Sequence, residues 1–325
     1  MKAILFKNGQ SNLIEKPPPG VNENEALVKV LMTGICKTDT ELLEGYYGFE
    51  GVAGHEFVGI VEEAPSDPDM IGKRVVGEIN IGCGKCLWCQ NGNERHCPTR
   101  KVLGIVGWDG AFAEYLKIPL RNLKVVKEKI PSEIAVFTEP LAAALEPAQQ
   151  IHITGDQKIL VMGDGKLGLL TALAFRHSCE NLILTGRHSE KLKIAGDSGV
   201  KTILNKTREN LDELKKMGPF DIIIESTGSA KGINQAIELV RPEGTVVAKT
   251  TLKDKSEIDL AKVVVDEINI IGSRCGNFDL ALKYLENGLV NPSPLITDIY
   301  PFEDFKKALE LAKSREALKI IIKFY

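Results

Sequence analysis

The order of apolar and polar positions changes character near residue 137. Before that point apolar residues fall in short runs separated by Gly and Pro. Runs at residues 3–6, 26–32, 57–62, 75–78 and 110–116 read as strands, with Lys16-Pro17-Pro18-Pro19-Gly20 as a turn between the first two. Many short strands punctuated this way predict a closed or partly closed β-domain. From Thr138 the pattern alternates. An Ala/Leu-rich helix over 138–146, with Pro140 early in it, leads into apolar strands at 158–162, 182–185, 201–204, 220–225, 244–248 and 268–272. Helical segments lie between them, and this alternation predicts a doubly wound parallel sheet. A helix over 278–287 precedes the break Pro292-Ser293-Pro294, then a helix over 302–312 and a last strand over 319–324. That strand is free to return to the first domain. The expected division is 1–138, 139–288 and 289–325.

Composition narrows the class. The chain has 325 residues, 43% of them hydrophobic and 26% charged, enough for two ordinary cores. A net charge of -3 argues against a nucleic-acid partner or an anionic membrane surface. Residues 1–6 run straight into a strand, and no apolar run reaches membrane length, so a cytoplasmic protein is expected.

Four of the seven cysteines fall within fifteen residues. Cys83, Cys86, Cys89 and Cys97 have the spacing C-x2-C-x2-C-x7-C. Four thiolates this close can complete a tetrahedron around zinc and leave no position for a substrate, as in structural sites. The glycine- and charge-rich loop and the long last gap favour a zinc lobe (about 82–98) over an iron–sulfur cluster. A sparser set comprises Cys36, His55, Glu56 and Glu139. One thiolate, one imidazole and one or two carboxylates would leave an open position on a metal. On spacing alone, a buried core cysteine beside an ordinary histidine is the favoured account of them.

Lys158-Ile159-Leu160-Val161-Met162 runs into Gly163, Gly165 and Gly168, and then into an apolar helix. Strand, G-x-G-x-x-G and helix form the context of a dinucleotide fingerprint. Gly163 would turn the chain, Gly165 would leave room for a pyrophosphate, and Gly168 would let helix and strand pack. The helix start, from Lys166 and Leu167, would aim free N–H groups at the phosphates.

With these motifs in order, the sequence resembles the zinc-dependent medium-chain dehydrogenase/reductase family, in its alcohol and polyol dehydrogenase branches. The resemblance rests on G-I-C-x-T-D at 34–39, G-H-E at 54–56, the cysteine lobe, D-G-x-F-A-E-Y at 109–115, E-P-L-A at 139–142 and the glycine fingerprint. It implies a GroES-like catalytic domain built from both chain ends and a Rossmann-like nicotinamide domain. Also implied are two zincs per chain and a homodimer or homotetramer. Cys36 and His55 would be zinc ligands, Glu56 a ligand or close partner, and Glu139 a carboxylate reaching the metal or its water. Asp39 would fix the His55 ring, and Thr38 would pass the substrate proton toward the cofactor ribose. The relay histidine of liver-type members is absent from residues 40–45. The expected reaction is hydride transfer between NAD(P) and a secondary alcohol, sugar or polyol. Tyr46, Glu50 and Trp108 would border the substrate or simply fill the core. A zinc-free quinone reductase of the same superfamily and a non-enzymatic zinc- and nucleotide-binding protein are the competing readings. The intact metal set speaks against the first.

The second strand of the alternating region ends in Thr185-Gly186-Arg187-His188, with Gly where an NAD site carries an acid. Gly186 would give room for a 2′-phosphate, and Arg187, with His188 and Lys191, would pair with it. This favours NADP over NAD. Thr227, after the fourth strand, and Lys319, in the last one, complete the expected cofactor contacts, Lys319 near the pyrophosphate.

Overall fold

The computed structural model describes residues 1–252 and 255–325. Contacts divide the chain into two units, Met1–Glu139 with Pro292–Tyr325, and Pro140–Asn291.

The first unit is mostly strand: β1 (Lys2–Lys7), β2 (Gln10–Glu15), β3 (Glu25–Ile35), β4 (Gly51–Val52), β5 (Glu56–Glu63), β6 (Arg74–Gly77), β7 (Asn80–Ile81), β8 (Lys101–Leu103), β9 (Gly107–Trp108), β10 (Tyr115–Pro119) and β11 (Leu123–Val125). The long β3 is its spine. It pairs antiparallel with β5 from Leu27 opposite Glu63 to Gly34 opposite Glu56, so Gly34 and the start of β5 meet near Cys36. The expected strand over 110–116 begins only at Tyr115. Main-chain donors of Gly110, Ala111 and Phe112 are used instead on the carbonyls of Val52, Gly54 and Ala53, which ties this loop to the segment leading into His55.

The second unit is a six-stranded parallel sheet of β12 (Lys158–Met162), β13 (Asn181–Gly186), β14 (Lys201–Leu204), β15 (Phe220–Glu225), β16 (Val240–Ala248) and β17 (Asn269–Gly272), in the order β14-β13-β12-β15-β16-β17. The order reverses beside β12, and the ligand crevice of an open α/β sheet lies at such a point, beyond the strand carboxyl ends. Leu160, Met162, Ile183, Phe220, Ile223 and Val246 belong to its core.

After Pro292 the chain rejoins the first unit through β18 (Ile296–Pro301) and β19 (Lys319–Lys323). β19 pairs antiparallel with β3, Ile320 opposite Ile35. The helix Phe305–Ala312 sends Phe305, Ala308 and Leu309 into the same core as Ile4, Phe6 and Phe112. Among the described residues no helix is long and apolar enough to cross a membrane.

Candidate functional site

Cys36 caps the helix Lys37–Leu43, and His55 and Glu56 lie where the chain enters β5. One residue joins these places. Asp39, fully buried, accepts the Cys36 N–H at 2.8 Å through one oxygen and the Gly54 N–H at 3.1 Å through the other. The second oxygen also stands 3.3 Å from His55 Nδ1. A single carboxylate therefore fixes both backbone segments and faces Nδ1 of the ring. Donor atoms of Cys36, His55 and Glu56 all lie within 4.8 Å of one another.

A thiolate, an imidazole and a carboxylate in a half-buried to buried setting suit zinc. Burial works against a charged His55, but Asp39 and Cys36 outweigh it and hold the ring's pKa well above the usual histidine value. A metal entering here must displace that proton. Thr38 Oγ1 lies 3.9 Å from Cys36 Sγ.

Glu139, at the start of the helix Thr138–Leu145, is not among the three mutually close donors. It is near enough for the charges of His55, Glu56, Glu78 and Lys319 to act on it. Burial above all, with Glu56 and Glu78, pushes its pKa up to about 7 against the pull of His55 and Lys319.

Lys319 is where the structure departs most from expectation. Its side chain is fully buried in the first unit, and its ammonium rests on the Glu56 carboxylate, with the Phe137 ring 5.6 Å away. A buried ammonium needs a buried anion, and Glu56, at 1% exposure, is that anion. A β-carbon on Gly34 would overlap the same carboxylate, so the glycine of G-I-C clears the space for the pair.

The four lobe cysteines also form one cluster within 4.8 Å. Cys86 and Cys89 sulfurs are 3.5 Å apart, and the Cys83 N–H points to Cys97 Sγ at 3.4 Å. That N–H is the main cause lowering the Cys97 pKa to about 6, while burial raises Cys89 to about 12. The all-sulfur set suits a closed zinc site. His96 packs on Trp88 at 5.4 Å and is not part of the cluster.

In the second unit the glycine loop has the expected local form. Gly163 takes φ +115°, and a β-carbon on Gly168 would collide with the Gly163 carbonyl. Space around Gly165 is open, and the helix Lys166–Phe175 begins there. Arg187 is exposed, Lys191 half-buried, and Thr227 donates to buried Glu225 at 2.6 Å. The space over Gly186 is not open. The carboxylate of Asp164 fills it and accepts the Arg187 and His188 N–H groups at 2.6 Å each. Neither Asp164 nor the Lys319–Glu56 pair follows from the motifs. The one sequence signal for Asp164 was an acid inside a phosphate-binding turn, and for Lys319 a lysine opening a strand whose centre, Ile320–Ile322, is apolar.

Comparison with known proteins agrees with this geometry. Residues 22–130 match the alcohol dehydrogenase GroES-like domain, and residues 167–287 the zinc-binding dehydrogenase domain. An L-threonine 3-dehydrogenase of Streptomyces avermitilis is 31% identical, covering 99% of both chains. The alcohol dehydrogenase rspB of Escherichia coli CFT073, solved with NADH, superposes with a TM-score of 0.93 at 28% identity, covering 100% of this chain and 99% of the other. A Sinorhizobium meliloti 1021 protein solved with NADP gives 0.91 at 27% identity, covering 99% of each. The chain belongs to the zinc-dependent medium-chain dehydrogenase/reductase family, whose zinc-type members are NAD(P)-linked oxidoreductases of alcohols, sugars and polyols.

Proposed function

We propose that this chain interconverts a secondary alcohol, sugar or polyol with its carbonyl form, holding one zinc at Cys36 and His55 and a second in the cysteine lobe. The observation that carries this reading is the Cys36–His55–Glu56 cluster, with Asp39 bonded to the backbone on both sides of it. When bound, zinc supplies Lewis acidity toward a substrate oxygen, and the nicotinamide ring exchanges hydride with the substrate carbon.

The chain's own residues supply position and proton handling. Asp39 fixes the ring face that His55 presents, as carboxylates behind metal-binding histidines do. Lys319 balances Glu56, so that carboxylate serves as a charge-tuning neighbour whose access to the metal is set by the ammonium. Glu139, a buried carboxylate on which the charges of His55, Glu56 and Lys319 act, is a second group able to take up or release the substrate proton. The Thr38 hydroxyl, beside Cys36, is the alternative first proton acceptor. Gly163, Gly165, Gly168 and the helix N–H groups at Lys166 and Leu167 would hold the pyrophosphate. Thr227, Arg187, His188 and Lys191 border the same end of the sheet.

The test is metal analysis with a substrate panel. Two zincs per chain and NAD(P)-linked turnover of a polyol or secondary alcohol, lost in Cys36→Ser, support the reading. Full zinc with no hydride transfer to any alcohol or ketone overturns it.

A further inference from the structure

We propose that Asp164 decides which dinucleotide this chain takes, favouring NAD over NADP by holding a negative charge where the 2′-phosphate of NADP would approach. The inference rests on the reading above that the glycine loop binds a nicotinamide dinucleotide.

In a dinucleotide fold, the residue ending the second strand meets the adenosine ribose, and an acid there selects the 2′-hydroxyl of NAD. Here that residue is Gly186, the last of β13. By itself a glycine at this place invites a phosphate. The structure removes the invitation. Asp164 sits between the first two glycines of the loop, and its side chain is only 10% exposed. Its carboxylate occupies the space that a β-carbon on Gly186 would need. The acid is present at the end of the second strand, but it arrives from the loop after β12. Gly186 is small because Asp164 is there.

The hydrogen bonds around the carboxylate sharpen the consequence. The N–H groups of Arg187 and His188 form the turn after β13 and would be the main-chain donors for an anion at this point. Both are spent on Asp164 Oδ2, at 2.6 Å each. His188 Nδ1 lies 3.0 Å from the same oxygen and 3.1 Å from Oδ1. A 2′-phosphate would bring a charge of about -1.5 to -2 toward an existing carboxylate. The exposed Arg187 and the part-exposed His188 and Lys191 side chains lie nearby, so what they gain from a phosphate is set against this carboxylate. The hydroxyls of a ribose diol, by contrast, are neutral and can donate toward a carboxylate. Discrimination therefore comes mainly from repulsion of the wrong cofactor.

The experiment uses the full-length, zinc-loaded protein. Binding of NADH and NADPH is titrated by nicotinamide fluorescence, and of 5′-AMP and 2′,5′-ADP by calorimetry, with no substrate and no turnover. NADH is expected to bind at least about tenfold more tightly than NADPH, and 5′-AMP more tightly than 2′,5′-ADP. Asp164→Asn keeps the shape and one acceptor oxygen but removes the charge, and Asp164→Ala opens the space. Each should lower the NADPH-to-NADH ratio of Kd values by about fivefold or more. Both cofactors are measured on the same preparation, so partial unfolding cancels in the ratio. Wild-type protein that prefers NADPH, or variants that leave the ratio unchanged, overturn the role of Asp164 while leaving dinucleotide binding intact. Binding of neither cofactor overturns both readings.

Discussion

Replacing Lys319 by Met should expose how much of the catalytic unit's stability is concentrated in one ion pair. Both partners are essentially inaccessible to water, at 0% and 1% exposure. At ordinary hydrogen-bond separation and an effective dielectric near 20, two unit charges attract by about 6 kcal/mol. Desolvation consumes much of that in the intact pair, so the pair itself contributes little net stability. Removing one member is different, because the other charge stays buried, and such truncations cost about 3–5 kcal/mol. Met fills nearly the volume of the lysine stem, so the loss reports charge more than cavity. For a unit of this size the Tm should fall by roughly 6 °C or more. The molecule's two tryptophans, Trp88 and Trp108, both lie in the same unit as Lys319, so tryptophan fluorescence follows the unfolding of that unit. Glu56→Gln alone should also destabilise. The double variant Glu56→Gln/Lys319→Met should be at least about 2 kcal/mol more stable than the sum of the single losses predicts. A cost below about 1 kcal/mol for Lys319→Met, or strict additivity in the double variant, would refute a mutual dependence of the two buried charges.

Removing the charge of Asp39 with Asn should lower zinc affinity at the Cys36–His55 site by about 10–100-fold, measured by chelator competition, while the lobe zinc remains. Cys97→Ser removes a fully buried ligand of the lobe. It should cost one zinc equivalent by elemental analysis and lower the Tm, whereas Cys36→Ser should cost the other equivalent together with activity. In the second unit burial opposes ionisation of Asp221, but Arg241, at 2.7 Å, and the Lys158 N–H, at 2.8 Å, outweigh it and hold the pKa below the usual carboxylate value. The stabilisation is fully present above the unfolded pKa, near 3.9, and is lost as pH falls through the depressed folded value. Asp221→Asn should therefore destabilise at pH 7, by about 1 kcal/mol for a charge-assisted hydrogen bond, and the difference should shrink as the solution is acidified, read by circular dichroism. A difference that does not shrink with acid would contradict that sign.

What the sequence determined by itself is what neighbouring residues can specify. The lobe cysteines span fifteen positions, so one loop brings their sulfurs together. The parallel sheet was legible because each strand is a nearly continuous apolar run between helices. The turn after β12 was legible because Gly163 and Gly168 answer local demands, a left-handed φ and a close carbonyl. The strand over 110–116 was misplaced because Gly110, Ala111 and Phe112 bond to the segment before His55, about 57–59 positions earlier, and periodicity carries no information about such partners. Tertiary structure alone decided that Lys319 meets Glu56 across 263 positions, through β19 pairing with β3. It alone put Asp164 over Gly186, because β12 and β13 lie side by side with Met162 opposite Thr185. Composition and spacing show which charges a chain carries, but the energy of a charge depends on its distance from other charges and from water, and those distances exist only in the fold.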